Sequence, residues 1–198
     1  MDNTKFNEQR YCRKRRKYRL YLGIQQLINY PLLNFLWILF IDGAVFIASE
    51  GKKYIGNMID YPVFGSIVPI CMIAMIIIFS VLCVIGLIMF IGGCFALKDE
   101  ANMEIAFGDK KGVKNQPPIL ISKKKHRKSG IIQREFYTTI PMERWQEKKE
   151  AISDIMNIHI ISEITYGGRK KNKGNHIYFE SAKGRNPTER GVLYDDTF

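Results

Sequence analysis

A two-span transmembrane helical hairpin followed by a small cytosolic α+β unit, ordered strand-helix-strand-strand, is the fold class this sequence predicts. Three observations carry it. The run from Val63 to Leu97 contains no charged residue. A second apolar stretch, Tyr30 to Ser49, precedes it and is interrupted only by Asn34 and Asp42. After Gly130 the pattern changes to β-branched and aromatic strands around one amphipathic helical segment. Bulk numbers conceal this segregation: 46 % of the 198 residues are apolar, yet the formal net charge is +11.

Residues 1–29 form a basic juxtamembrane segment. Met1 to Glu8 is polar and expected to be a loose end. From Arg10 to Asn29, Leu20, Ile24, Leu27 and Ile28 share one helical face, with arginines and lysines crowding the earlier turns. That pattern predicts an interfacial helix feeding the first span at Pro31. The first span, residues 30–49, tolerates Asp42 because a centred aspartate costs ~3 kcal/mol, which the surrounding Leu, Ile, Phe and Trp offset. A cleaved signal peptide fits this stretch poorly, since the basic region before it is long and "FIAS" offers no A-x-A site. The second span, residues 63–97, exceeds the ~20 residues that cross a ~30 Å hydrocarbon core. It either tilts or continues into the cytosol as a stalk. Basic clusters "RYCRKRRKYR" and "KKKHRK" flank the pair, whereas Lys52 and Lys53 in the outer loop are balanced by Glu50 and Asp60. Positive flanks stay inside, so both termini are expected in the cytoplasm.

Residues 98–130, with Gly, Pro-Pro and lysine clusters and no apolar period, read as a basic linker. The α+β unit is expected over residues 131–183. "IIQREFYTTI" reads as a strand, and Pro141 and Glu143 open a helix in which Met142, Trp145, Ile152, Ile155 and Met156 repeat at helical spacing. "IHIISEITYG" and "HIYFESAKG" are strands joined by the turn "GRKKNKGN". Residues 184–198 form a connector ending in "GVLYDDTF".

Site chemistry is sparse. Asp42 is the one ionisable residue deep in a span, and Ser66 and Ser80 are the hydroxyls available to it. Without a second intramembrane charge, helix association suits Asp42 better than ion relay. Gly92 and Ala96 add a small-xxx-small step that lets helices approach closely. Arg13, Lys14, Arg15, Arg16 and Lys17 in the first basic run, and Lys123, Lys124, Lys125, Arg127 and Lys128 in the second, are candidates for lipid or DNA phosphate contact. Cys12, Cys71, Cys83 and Cys94 and the scattered histidines lack metal-ligand spacing, so neither metal nor cofactor is expected. No segment fits G-x-x-x-x-G-K-[ST], G-x-S-x-G or H-E-x-x-H, and Asp195 and Asp196 are too close in sequence to act as a dyad on a strand. The chain is expected not to be an enzyme.

The layout of two spans, basic linker and "FYTTIPMERWQEKKEAISDIMNIHIISEITYG" closing in "AKGRNPTERGVLYDD" resembles the front part of FtsK/SpoIIIE-type DNA translocases of conjugative elements, the membrane-anchored coupling proteins. The resemblance rests in residues mainly on 136–196. It implies a bacterial cell-membrane protein that seats a motor or assembly at the membrane. The motor would lie beyond Phe198, as in a truncated or split coupling protein or a stand-alone relative, and none of the family's catalytic residues has a position here. Implied partners are membrane lipids, a DNA-translocating motor or conjugation component, DNA bound without sequence preference, and a second copy of the chain. The alternative function is a small membrane-anchored interaction or regulatory protein unrelated to DNA transfer.

Overall fold

The computed structural model describes residues 3–58, 67–108, 116–126, 128–169 and 172–184. The expected connector after residue 184 and residues 59–62 of the expected outer loop lie outside the described residues, whereas Glu50, Lys52 and Lys53, expected in that loop, continue the helix that ends at Met58. In chain order come helix α1 (Asn3–Asn29), a 3₁₀ turn (Pro31–Asn34), α2 (Phe35–Met58) and α3 (Ile67–Phe107). There follow β1 (Ile119–Lys125), β2 (Ile132–Tyr137), α4 (Met142–Glu147), α5 (Lys149–Met156), β3 (Ile158–Ile160), β4 (Thr165–Tyr166) and β5 (His176–Lys183).

Both α2 and α3 contain stretches long and apolar enough to cross a membrane, and neither stretch is buried within the protein. Ile38, Leu39 and Phe46 on α2, and Ile70, Ile77 and Leu82 on α3, turn outward. So much contiguous apolar surface does not suit water. The 41 residues of α3 reach ~60 Å at ~1.5 Å per residue. Its last turns leave the apolar stretch and bury Met103, Ala106 and Phe107 in the core of the sheet-bearing unit. The stalk is therefore part of the domain that it carries.

That arrangement corrects the expected linker. Residues 98–107 are helical, and residues 119–125 form β1, paired antiparallel with β2 across a bulge between Leu120 and Ser122. Sequence reading missed β1 because its buried residues, Ile119, Leu120 and Ile121, are consecutive rather than alternating. A strand covered on both faces needs no polar side. Ile119 and Ile121 meet Tyr11, Tyr18 and Tyr137, while Leu120 joins the main core with Phe136, Trp145 and Phe179.

The five-stranded antiparallel sheet runs β1-β2-β5-β3, with β4 also pairing β5. The segment expected as one strand, "IHIISEITYG", is divided into β3 and β4. Between them the Ser162 hydroxyl accepts the Glu180 N–H at 2.8 Å in place of a backbone carbonyl. The single helix expected after Pro141 is likewise two short ones, divided where Lys148 leaves helical geometry (φ −91, ψ 7). Trp145 is fully buried as its spacing implies, with its ring centroid 4.8 Å from that of Phe107 and 5.9 Å from that of Phe136.

Helix α1 begins at Asn3, earlier than expected, and is not a free interfacial helix. Leu22 is fully buried, and Gly23, Gln26 and Arg19 are buried with it between α3 and β1.

Candidate functional site

The sheet, α1 and the end of α3 meet at a junction built from two adjacent carboxylates, Asp99 and Glu100. They follow the long uncharged run directly. Successive helical residues point ~100° apart, so the two acids reach different elements. Glu100 Oε2 lies 2.5 Å from Arg19 Nη2 and 3.4 Å from Arg15 Nη2 on α1, and its Oε1 accepts the Leu120 N–H of β1 at 2.9 Å. Asp99 Oδ2 takes Arg134 Nε of β2 at 3.2 Å and Lys123 Nζ of β1 at 2.8 Å. Arg134 donates onward to the Ser181 hydroxyl of β5. Asp99, Glu100, Arg19 and Arg134 are all buried. Buried charges of this kind persist only when paired and hydrogen-bonded, so the network fixes one arrangement of helix and sheet.

Close helix contact supplies the second half of the junction. A Cβ on Gly92 would collide with the Arg19 carbonyl, and one on Gly23 would collide with the Ile88 carbonyl. Ala96 is fully buried beside them. The small-residue step thus brings α3 against α1, a helix outside the expected hairpin pair. Gln25 and Gln26 then cover the outer edge of β1: Gln25 Oε1 accepts the Lys123 N–H at 3.2 Å, and Gln26 Nε2 donates to the Lys123 carbonyl at 2.9 Å. These bonds occupy the free backbone groups of Lys123 and so blunt the edge of β1 against pairing with another strand.

The basic run divides by helical phase. Lys14 turns inward, with Nζ 4.2 Å from the centre of the Tyr137 ring, and Arg15 leans toward Glu100. Arg13, Arg16 and Lys17 are exposed. In the second run Lys123 is committed to Asp99, Lys124 is half-buried, and Lys125 and Lys128 are exposed. Arg127 lies outside the described residues. Phosphate contact by Lys14, Arg15 or Lys123 would have to displace an intramolecular partner. Asp42 is exposed on α2 and makes no ion pair among the described residues. The hydroxyl expected to serve it, on Ser80, donates instead to the Ile76 carbonyl of its own helix at 2.8 Å. Ser66 lies outside the described residues.

Two clefts open beside α1. One of about 180 Å³ is lined by Arg10, Tyr11, Lys14 and Tyr137 among others. The other, about 290 Å³, is lined by Lys17, Tyr18, Tyr21, Ile121, Lys173 and His176. Tyr11 donates to the Pro117 carbonyl at 2.8 Å, and burial together with the Glu100 charge pushes its hydroxyl up to about 12. Burial, then the neighbouring Tyr137 and Glu135, raise Tyr18. Across the sheet the Tyr178 hydroxyl and Gln133 both donate to Glu180, and these bonds hold its carboxyl below the ordinary range. His176 Nδ1 sits 2.7 Å from Glu135 Oε1. No group of His, Cys, Asp and Glu among the described residues could hold a metal ion. Arg19, Glu100, Asp99, Arg134 and the Gln25–Gln26 pair were not legible as site residues, although an acidic pair closing a long uncharged helix was a usable signal.

No protein-family model and no curated protein sequence matches this chain. Among solved structures it is similar to the pCW3 conjugation coupling protein TcpA, determined as a monomer form with ATPgS, at 26 % identity and a TM-score of 0.37. That similarity covers 46 % of this chain and 25 % of the TcpA chain, so it spans about a quarter of the longer protein.

Proposed function

We propose that this chain is a non-catalytic membrane anchor and stalk that seats a DNA-translocating motor or its assembly at a membrane. The observation that carries the reading is the continuity of α3. One unbroken helix runs from an apolar stretch into the core of the sheet unit, where Asp99 and Glu100 tie it to α1, β1 and β2. A load on the sheet is therefore transmitted to the apolar helices through buried ion pairs and close backbone contact rather than through a flexible tether. The sequence resemblance to the front of conjugative coupling proteins supplies the identity of the load. Catalysis has no support in the residues: the sequence contains no phosphate-cradling loop, and the junction acids are committed to cations and an amide.

Crosslinking in the native host, followed by membrane fractionation, tests the reading. The expected result is a chain that stays with the membrane and captures a motor or conjugation component. Repeated capture of partners from an unrelated pathway, with no motor among them, would displace it. Purified protein is expected to show no ATPase activity.

A further inference from the structure

The cleft lined by Lys17, Tyr18, Tyr21, Ile121, Lys173 and His176 brings together parts of the chain far apart in sequence. Lys17 and Lys173 are exposed, and neither pairs with a carboxylate among the described residues. Glu135, which approaches the cleft through His176, is engaged by that ring at 2.7 Å. Two lysines lining one cleft can offer their ammonium groups to a phosphate oxygen.

Depth along α3 identifies the phosphate's source. The Arg19 carbonyl meets Gly92, and Gly23 meets the Ile88 carbonyl. The first charge on α3 after its apolar stretch is Lys98. The Lys17–Tyr21 turn of α1 therefore stands beside the last apolar turns of α3, which in the membrane-anchor reading is the level of a headgroup layer. The outer face of α1 continues through Tyr21, Ile24 and Ile28, which are 57 %, 42 % and 75 % exposed at helical spacing. This apolar track leads from the cleft toward Leu32, itself 92 % exposed at the start of the first apolar helix. A single-stranded nucleic acid would instead need a ladder of open rings to stack on, whereas of the two tyrosines lining this cleft Tyr18 is half-buried and Tyr21 alone is open.

We propose that this cleft holds the phosphate of an anionic phospholipid headgroup, with an acyl chain lying along Ile24 and Ile28. The proposal rests on the membrane-anchor reading and deepens it by naming a bound lipid. It is tested with the full chain in an uncharged detergent, titrated with dioctanoyl phosphatidylglycerol, dioctanoyl phosphatidylcholine or oligothymidylate and read by native mass spectrometry. Phosphatidylglycerol should be retained and phosphatidylcholine should not. Lys17→Gln combined with Lys173→Gln should weaken retention about thirtyfold, the combined effect of two headgroup contacts. Arg13→Gln combined with Lys128→Gln removes the same charge away from the cleft and should leave retention unchanged. Equal loss in both double variants, equal binding of the two lipids, or binding of oligothymidylate without phosphatidylglycerol overturns the site. Alkaline carbonate extraction separates the two readings. A chain released from membranes refutes the anchor, whereas a retained chain without headgroup preference refutes only the cleft.

Discussion

Glu100 concentrates the junction in one side chain. It bonds α1 through Arg19 and Arg15 and β1 through the Leu120 amide, while sitting on α3. Removing one partner of a buried ion pair leaves the other charge desolvated, at a cost of about 3–5 kcal/mol. Glu100→Ala is therefore expected to undock α1, seen as lost amide-exchange protection over residues 19–26. The exposed Lys53–Glu50 pair, at 2.7 Å, provides the contrast. Glu50→Ala should change stability by about 0–1 kcal/mol, as exposed pairs do. Similar losses in both variants would show that burial does not govern the junction. Tyr11 yields a pH prediction. Its hydroxyl is raised in the folded chain from 10.0 to about 12, so its stabilising contribution is full below the lower value and is lost as pH rises through the upper one. Tyrosinate absorbance should show several late-titrating tyrosines, Tyr18 and Tyr178 among them, and Tyr11→Phe should remove one, the one whose ionisation coincides with release of α1. An ordinary titration for every tyrosine would contradict the docked position.

At the scale of elements, the α1–α3 crossing depends on the absence of side chains at two glycines. Placing a branched chain at Gly92 forces the Arg19 carbonyl and the Gly23 amide to move. Overpacking typically costs about 1–3 kcal/mol, and backbone is the least compliant neighbour. Gly92→Leu should separate α1 from α3, measurable as loss of a disulfide crosslink engineered across the crossing. Retention of that crosslink at wild-type yield would place the contact elsewhere. On the other side of the sheet, Trp145 joins Phe107 of α3 to Phe136 of β2. Truncating a buried tryptophan costs about 3–5 kcal/mol. Trp145→Ala should therefore loosen the end of α3 together with the sheet. Amide exchange that changes in α4 alone, with residues 100–107 unaffected, would argue against a shared core.

For the whole molecule, the proposed anchor places its two basic regions on one side of a membrane. Lys and Arg crowd α1 and the segment around β1, while Glu50, Lys52 and Lys53 at the end of α2 and Asp60 after it balance one another. The charge rule supports the proposal that both basic regions stay on the cytoplasmic side. Cys12 should thus be shielded from a membrane-impermeant thiol reagent in intact cells. A cysteine introduced at Asn57 should be labelled. Labelling of both would exclude the hairpin topology.

Two apolar stretches, the segregation of charge to their flanks, the buried face of Trp145 and the three apolar segments that became β2, β3–β4 and β5 were all legible in the residues. Each depends on local composition or a short period that no distant contact overrides. The identity of β1 was not legible, because a strand buried on both faces by α1 and by the main core has no alternation to read. Nor could spacing reveal that Gly92 serves α1 rather than α2, that Lys123 neutralises Asp99, or that Lys17 and Lys173 share a cleft. A small residue or a charge has the same local signature whatever approaches it. Only the tertiary structure chooses the partner, through the buried charges that must be paired and the backbone contacts that a Cβ would forbid.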